Sequence, residues 1–290
     1  MKRSLLSILD IITLLFSSCE KFNPDEPIPA YIYIPNVNVT NENLVGSTNN
    51  HDIKDIWITP NGENARPYEL PALIPVITND TQNIIFESGI YKDGMQNAHL
   101  VYTFLAPIDT NLGLTPGEID TFIPDFHYRD NADIEVLIEV DFEDNNNVFE
   151  PYADQINNLR IVSGENVIDG NRSGAIFVNS ENPTVYIVTS ELFEFDVINK
   201  LVMLEIEYKS NTYFSIGSTK IDNQGNRTII SRFVTLRPTN GEVKKAYIHL
   251  QNNFSGLSGE RYQLLFGSIE EEGGVPNGEI FVDNIKLIRE

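Results

Sequence analysis

The stretch DIEVLIEVDFED, residues 133–144, alternates apolar and charged side chains with a period of two. The apolar positions share one side of an extended chain: Ile134, Val136, Ile138, Val140 and Phe142. The charged positions share the other side: Asp133, Glu135, Glu139 and Asp141. Because successive side chains of a β-strand point to opposite faces, the pattern predicts a strand with one buried face. The same period recurs in most apolar runs and no run shows a capped helical stripe, so the sequence predicts an all-β protein.

The polar stretch HYRDN, residues 127–131, precedes this strand and marks a predicted domain boundary. On its N-terminal side, Asn61-Gly62 and Asp93-Gly94 are hairpin turn signals between strand-like runs, which predicts a small β-sandwich over residues 31–130. On its C-terminal side, eight more strand-like runs predict a jelly-roll sandwich over residues 131–290. We expect few contacts to cross this boundary and residues 131–290 to fold alone.

The composition excludes several classes of protein. The chain has 42 acidic and 20 basic residues, for a formal net charge of −22. Such a chain repels the phosphate backbone, so nucleic acid is not an expected partner. It also repels anionic lipid headgroups, so attachment to a membrane requires an anchor other than a basic patch. A hydrophobic fraction of 41% with 16 Phe and 12 Tyr is typical of a globular protein.

The chain has one cysteine, Cys19, which cannot form an intramolecular disulfide. It could be a reactive thiol, a buried apolar residue or an attachment point. Lys2 and Arg3 precede an apolar run that ends at Phe16 and is too short to span a membrane, and two serines follow it. This order of residues is typical of a secretory signal with a small-residue cleavage site.

The segment FSSC at residues 16–19 resembles the lipobox of bacterial lipoproteins. The resemblance implies that residues 1–18 are a signal peptide and that Cys19 carries the acyl chains, such as palmitate. Residues 19–30, rich in Pro and charge, would then form a tether. The acidic residues behind Cys19 resemble the export signal of lipoproteins in the Bacteroidota, which implies the cell outer membrane, facing either the periplasm or the surface. A plain cleaved signal and a packing cysteine remain alternatives.

Both predicted domains resemble known families. Residues 31–130 resemble immunoglobulin-like modules of surface lipoproteins, including PEGA domains. Residues 131–290 resemble the galactose-binding-like fold of many carbohydrate-binding modules. That resemblance lies in VDFED (140–144), GNRSGAIFV (170–178), LEIEYKSN (204–211), VKKAYIHL (243–250) and GEIFVDNIKLI (278–288). Val243 stands where such modules often have a tryptophan, and the single tryptophan, Trp57, is in the first domain.

No GxSxG, HExxH, P-loop or GxGxxG pattern occurs, and the four histidines fit no motif, so we expect a protein that is not an enzyme. Five residues of the second domain are candidates for ligand binding through aromatic faces and hydrogen bonds: Tyr208, Tyr213, Arg232, Tyr247 and His249. Tyr247 and His249 share a strand face with Lys245, so we expect that face to be exposed to solvent. Tyr262 shares its face with apolar residues and is expected in the core.

The closing strand suggests a metal site. Phe281, Asp283, Ile285 and Leu287 share one face by alternation, so Asp283 is expected to face inward, where a carboxylate needs a partner or a metal. The family resemblance implies one structural calcium ion where the first and last strands meet. Its ligands would be Asp283, Glu143 and Asn171, provided that a bulge turns Glu143 inward. Alternatively, Asp283 accepts hydrogen bonds from backbone amides.

Two functions are consistent with these features. The first is a non-catalytic, lipid-anchored envelope protein whose jelly roll binds a glycan. The second is a structural or adaptor lipoprotein that binds a protein partner in an outer-membrane complex. The fold resemblance favours the first hypothesis, and the missing tryptophan favours the second.

Overall fold

The computed structural model describes residues 26–290 apart from 41–48, 79–80, 131–132, 145–146, 154–158, 195–200, 252–259 and 270–276, and apart from the side chains of residues 231–233. The predicted signal peptide, Cys19 and the first part of the tether therefore lie outside the described residues. The described residues contain no α-helix, which confirms the all-β prediction. No helix among them could cross a membrane.

The first sandwich contains ten strands. They are Ala30–Ile34 (β1), Asn38–Thr40 (β2), Asp55–Pro60 (β3), Arg66–Glu69 (β4), Ala72–Val76 (β5), Thr81–Tyr91 (β6), His99–Val101 (β7), Ile108–Gly113 (β8), Ile119–Thr121 (β9) and Asp125–His127 (β10). One three-stranded sheet has the order β5-β1-β9, and β10 and β2 form a separate two-stranded sheet. The third sheet has the order β4-β3-β6-β7, with β8 also paired to β6.

The two predicted turn signals are confirmed. Asn61 and Gly62 both have positive φ angles, and Glu63 N donates to Pro60 O at 2.9 Å. Asp93 and Gly94 repeat this arrangement one hairpin later. Two consecutive positive φ angles define the type I′ turn, which Asn-Gly and Asp-Gly pairs adopt at low cost.

The second sandwich contains twelve strands. They are Glu135–Val140 (β11), Phe149–Pro151 (β12), Arg160–Ser163 (β13), Arg172–Asn179 (β14), Thr184–Thr189 (β15), Phe193–Glu194 (β16), Val202–Ser210 (β17), Phe214–Ile221 (β18), Arg227–Leu236 (β19), Lys244–His249 (β20), Arg261–Ile269 (β21) and Asn277–Arg289 (β22). One six-stranded sheet, here called the inner sheet, has the order β13-β14-β22-β17-β20, with β11 on β22. The other, the outer sheet, has the order β12-β15-β21-β18-β19, with β16 on β21.

The alternating stretch that begins at Asp133 contributes to both sandwiches. Its pairing with β22 shifts between Val136 and Ile138, so two residues of β11 lie opposite one of β22. Such a bulge reverses which face the following side chains occupy. Ile134 consequently packs in the core of the first sandwich, whereas Ile138 and Phe142 pack in the core of the second. The prediction of one continuous buried face is therefore wrong, although every apolar member of the stretch does pack against a core.

The first sandwich covers part of the inner sheet. Met203, Tyr247 and Ile288 of that sheet belong to the apolar cluster of the first sandwich. Asp93 N donates to Tyr247 O at 2.9 Å, and Asp52 N donates to the Tyr247 hydroxyl at 3.1 Å. The inner sheet is thus covered on both faces, and the expectation that few contacts cross the domain boundary is wrong.

A buried ionic cluster lies in this interface. Glu205 is fully buried. Its Oε1 accepts hydrogen bonds from the hydroxyls of Tyr102 and Tyr128, and the bond from Tyr128 is 2.6 Å long. Its Oε2 lies 2.9 Å from Lys245 Nζ. Burial alone would raise the pKa of Glu205. The charges of Lys245 and Lys286, together with the two hydroxyls, outweigh burial and lower that pKa to about 2. Glu205 is therefore ionised at neutral pH and links both sandwiches.

Candidate functional site

The face that carries Tyr247 and His249 is not a free surface. Tyr247 is only 3% exposed, because the first sandwich packs over it, so the prediction of a solvent-exposed face is wrong. The reason is that Lys245, the residue that suggested exposure, is itself buried against Glu205. His249 is partly buried, and its backbone N donates to Asp93 Oδ1 at 2.7 Å. Burial and then the charge of Lys92 lower the pKa of His249.

The other three predicted ligand residues are dispersed. Tyr208 is buried in the core of the second sandwich, where its ring meets Phe214 edge-on at 5.3 Å. Tyr213 is 45% exposed and directly precedes β18. Arg232 lies in β19, and its side chain is outside the described residues. Tyr262 is buried in the core, as predicted. The structure therefore does not bring the five predicted ligand residues together.

Asp283 is buried, but on the opposite side of the sheet from the predicted one. Ile280, Val282, Ile285 and Leu287 all pack in the core of the second sandwich. The face therefore changes at Asn284, whose φ of 46° interrupts the regular strand. Asp283 lies on the other face, opposite Glu207 of β17, so the prediction that it shares the side of Ile285 and Leu287 is wrong.

Protein donors surround the Asp283 carboxylate. It accepts hydrogen bonds from Ser173 Oγ at 2.6 Å, Asn284 N at 2.9 Å and Asp169 N at 3.4 Å. Two of the three donors are backbone amides, as in the alternative to a metal site. Burial raises the pKa of Asp283 to about 7, even though these donors oppose the shift.

Glu143 stabilises the turn that precedes β14. Its carboxylate accepts hydrogen bonds from the backbone N of Asn171 at 2.7 Å and of Arg172 at 2.9 Å. The hydrogen bond from Asn171 N is the largest of the effects that lower the pKa of Glu143. The described part of the chain contains no group of three or more His, Cys, Asp or Glu placed to hold a metal ion. The calcium ion at Glu143, Asn171 and Asp283 stays a prediction.

The outer face of the outer sheet is concave. Arg227 begins β19 at one edge of this sheet, and Glu150 lies in β12 at the opposite edge. Nevertheless, Arg227 Nη2 is 3.9 Å from Glu150 Oε1, and the guanidinium carbon is 5.8 Å from the centre of the Tyr152 ring. Because three strands separate these edges, the sheet must curl for the two side chains to meet.

One row of residues crosses this concave face. One residue from each of the five strands β12-β15-β21-β18-β19 is in register with the next. These residues are Tyr152 (directly after β12), Tyr186, Gly267, Ser215 and Thr235. We call them the tyrosine row. Strands are spaced about 4.8 Å apart, so the row measures about 19 Å along the curled sheet. It presents two aromatic rings, a glycine and two hydroxyl groups, in that order.

Gly267 makes room for the ring of Tyr186. A Cβ atom at position 267 would lie 2.6 Å from Cε1 of Tyr186, which is too close for a real contact. The ring therefore lies across the glycine, along the surface of the sheet. Farther along the row, the Ser215 and Thr235 hydroxyl oxygens are 2.9 Å apart. The arrangement offers a flat aromatic surface beside hydroxyl groups that can donate and accept.

Sequence reasoning missed this row, although part of the signal was present. In TVYIVT, residues 184–189, Tyr186 is offset by one from Val185 and Ile187, which places it on the outer side of a half-buried strand. Gly267 interrupts an apolar strand, and such a glycine often marks a close approach. The register that brings them together joins strands about 80 residues apart, and no local pattern encodes it.

No protein-family model and no curated protein matches the chain. Several solved structures of carbohydrate-binding modules are similar in part. A CBM61 module in complex with beta-1,4-galactotriose is 17% identical, with 52% of this chain and 94% of that chain covered, at a TM-score of 0.34. The CBM22-1 xylan-binding domain from Paenibacillus barcinonensis is 12% identical, with 54% of this chain and 96% of that chain covered, at a TM-score of 0.36.

A third structure, from work on carbohydrate-binding modules of the beta-sandwich super family, is 11% identical. In that comparison 91% of this chain and 99% of the other are covered, at a TM-score of 0.38. Because all three TM-scores are low, these likenesses do not assign a function to the chain.

Proposed function

We propose that this protein is a non-catalytic, lipid-anchored component of the cell envelope that binds a glycan on the concave face of its second sandwich. The observation that carries the proposal is the tyrosine row. Binding sites for small ligands are concave surfaces that combine apolar and aromatic side chains with a few placed polar groups. The concave face meets this description, whereas the face of Tyr247 is closed by the first sandwich.

The chemistry of the row suits a sugar chain. A pyranose ring has a face of C–H groups that packs against an aromatic ring, and hydroxyls around its edge that need hydrogen-bonding partners. Tyr152 and Tyr186 supply the rings, and Ser215 and Thr235 supply hydroxyls farther along. Since the row is about 19 Å long, it suits several linked sugar units rather than one.

The lipid anchor is proposed from the sequence alone. Acylation at Cys19 would hold the protein on the outer membrane, since two or more acyl chains give stable attachment. The Cys19→Ala variant should then leave the membrane fraction, while its affinity for glycan should not change. If the variant remains in the membrane fraction after a carbonate wash, the proposed anchor is wrong.

Glycan binding can be tested with an array of oligosaccharides, followed by calorimetry on the best ligand. Tyr186→Ala should weaken binding by about 1–3 kcal/mol, which corresponds to roughly 5- to 150-fold, because aromatic anchors carry such energies at other interfaces. Tyr33→Ala is the matched control, since Tyr33 is an exposed tyrosine of the first sandwich and lies outside the row. Equal affinity of the two variants would overturn the site. An array without any bound sugar, together with capture of a membrane protein, would favour the adaptor function instead.

A further inference from the structure

The exposed apolar side chains of the first sandwich are concentrated on one face. Nine large apolar side chains are exposed among the described residues, and six of them lie on the outward face of the β5-β1-β9 sheet or directly beside its strands. These six are Ile28, Tyr33, Leu73, Ile77, Ile119 and Ile123. We call them the apolar face. Isolated exposed apolar residues are ordinary, but a contiguous group of this kind marks an interaction surface.

Strand register makes the face continuous. Tyr33 of the central strand β1 pairs with Leu73 of β5, and Tyr31, two residues earlier on the same side, pairs with Ile119 of β9. The alternate residues Ala30, Ile32 and Ile34 point the other way, into the core. The outward side of β1 is therefore apolar along its length, instead of polar as expected for a half-exposed strand.

The size of the face does not suit a stable protein interface. Three strands spaced about 4.8 Å apart and five residues long, at about 3.3 Å per residue, cover about 240 Å². A stable protein–protein interface buries about 800 Å² on each partner. A lipid surface sets no such minimum, because each inserted side chain contributes separately.

The position of the face also favours lipid. Ile28 precedes β1 and contacts the edge of the same sheet, where Gly117 N donates to Pro29 O at 2.9 Å. Ile28 is the ninth residue after Cys19, and a chain of nine steps reaches at most about 30 Å. An acylated Cys19 therefore keeps Ile28, at the margin of this face, within about 30 Å of the bilayer.

We propose that the apolar face rests on the lipid bilayer at the level of the headgroups, where Tyr33 suits the boundary between apolar and polar regions. This inference rests on the proposed lipid anchor. Exposed Glu118 and Asp120 adjoin the face, and the whole chain is strongly acidic. The contact should therefore prefer zwitterionic lipid and weaken on anionic lipid unless salt screens the repulsion.

The test uses the full acylated protein with one new cysteine. Since Cys19 is the single cysteine and the proposed lipid would block its thiol, Leu73→Cys provides the one thiol for an environment-sensitive fluorophore. On phosphatidylcholine vesicles, the emission at position 73 should shift to the blue, as should a second label at Ile119→Cys. The label at Val243→Cys is the control, because Val243 is similarly exposed but lies in the second sandwich, and it should not shift.

Three outcomes decide the proposal. A blue shift at 73 and 119 but not at 243, reduced by adding phosphatidylglycerol and restored by salt, supports it. Equal emission at all three positions on vesicle-bound protein overturns it, as does a shift that occurs only in native membranes, which would indicate a protein partner. If the chain carries no acyl group, the anchor of the proposed function fails. The same labels on a Cys19→Ala background, read at excess lipid, then decide the face, and unshifted emission overturns it.

Discussion

Replacing Glu205 with alanine should destabilise both sandwiches together. In the interface, the Glu205 carboxylate accepts hydrogen bonds from Tyr102 and Tyr128 and forms an ion pair with Lys245. In Glu205→Ala, the Lys245 ammonium would stay buried without its counter-charge, and two buried hydroxyls would lose their acceptor. Lys286 would lose the favourable charge of Glu205 and keep its ion pair with Glu139, at 3.7 Å.

The expected loss can be derived from these contacts. Removing one partner of a buried ion pair costs about 3–5 kcal/mol, because the remaining charge is left uncompensated. Each hydrogen bond lost between a buried hydroxyl and the carboxylate adds about 1 kcal/mol, although the contributions of groups in one network do not add fully. We therefore expect the free energy of unfolding to fall by about 4 kcal/mol.

Urea unfolding followed by two probes measures this loss. The fluorescence of Trp57 reports on the first sandwich alone, because it is the single tryptophan, whereas circular dichroism reports on both. The two transitions should coincide in the wild type, and both should move to lower urea concentration in Glu205→Ala. Glu135→Ala is the control, since Glu135 forms an exposed ion pair with Arg289 and such pairs are worth less than about 1 kcal/mol.

The pH dependence gives a second check on the same residue. The pKa of Glu205 is about 2 in the folded protein, against an ordinary value of 4.5. Its ionised form therefore stabilises the fold by about 3 kcal/mol above pH 4.5, and this contribution is lost as the pH falls toward 2. Glu205→Gln should remove this part of the acid sensitivity. A Glu205→Ala variant that loses less than about 1 kcal/mol, or no more than the control, would refute the role assigned to the cluster.

Gly89→Ala should unfold the first sandwich at a lower urea concentration, because a Cβ there would overlap the buried Asp55 carboxylate. Gly113→Ala is the control and should be nearly neutral, because there is open space around Gly113. Equal unfolding midpoints of the two variants would contradict this prediction. Gly267→Ala should displace the Tyr186 ring and weaken glycan binding by about tenfold with a smaller effect on the melting temperature, and unchanged affinity would count against the row. In chelator, the wild type should lose stability as the pH rises from about 4 to about 7, because over this window Asp283 is ionised in the unfolded chain but still protonated in the folded one. Calcium should restore that stability in the wild type but not in Asp283→Asn. A melting temperature that is indifferent to calcium would end the prediction of a metal site.

Sequence reasoning succeeded where structure is local. Alternation predicts strands, and Asn61-Gly62 and Asp93-Gly94 predict the turns that the structure contains, because these signals depend only on neighbouring residues. It failed at two irregularities, the bulge between Val136 and Ile138 and the positive φ of Asn284. Each reverses the parity of the strand, so residues assigned to one face lie on two.

The second kind of failure concerns charged residues in covered strands. Lys245 and Glu205 indicate a surface when each is considered alone, but together they form a buried pair. Only the pairing of β17 with β20 brings them into contact, and that pairing joins residues about 40 positions apart. The closure of the Tyr247 face and the assembly of the tyrosine row are both results of such long-range register.

The bulged strand β11 has a mechanical consequence for a protein held at one end and loaded at the other. If the tether is fixed to a membrane and a polysaccharide pulls on the tyrosine row, the tension must pass from the first sandwich to the second. No slack segment lies between them to absorb that tension, because Ile134 is held in one core and Ile138, four residues later, in the other. The load would therefore be shared in shear by the ladder between β11 and β22 and by the ion pairs around Glu205. The tether before β1 would be the compliant element, so a bound polysaccharide under tension would reorient the two sandwiches as one rigid body.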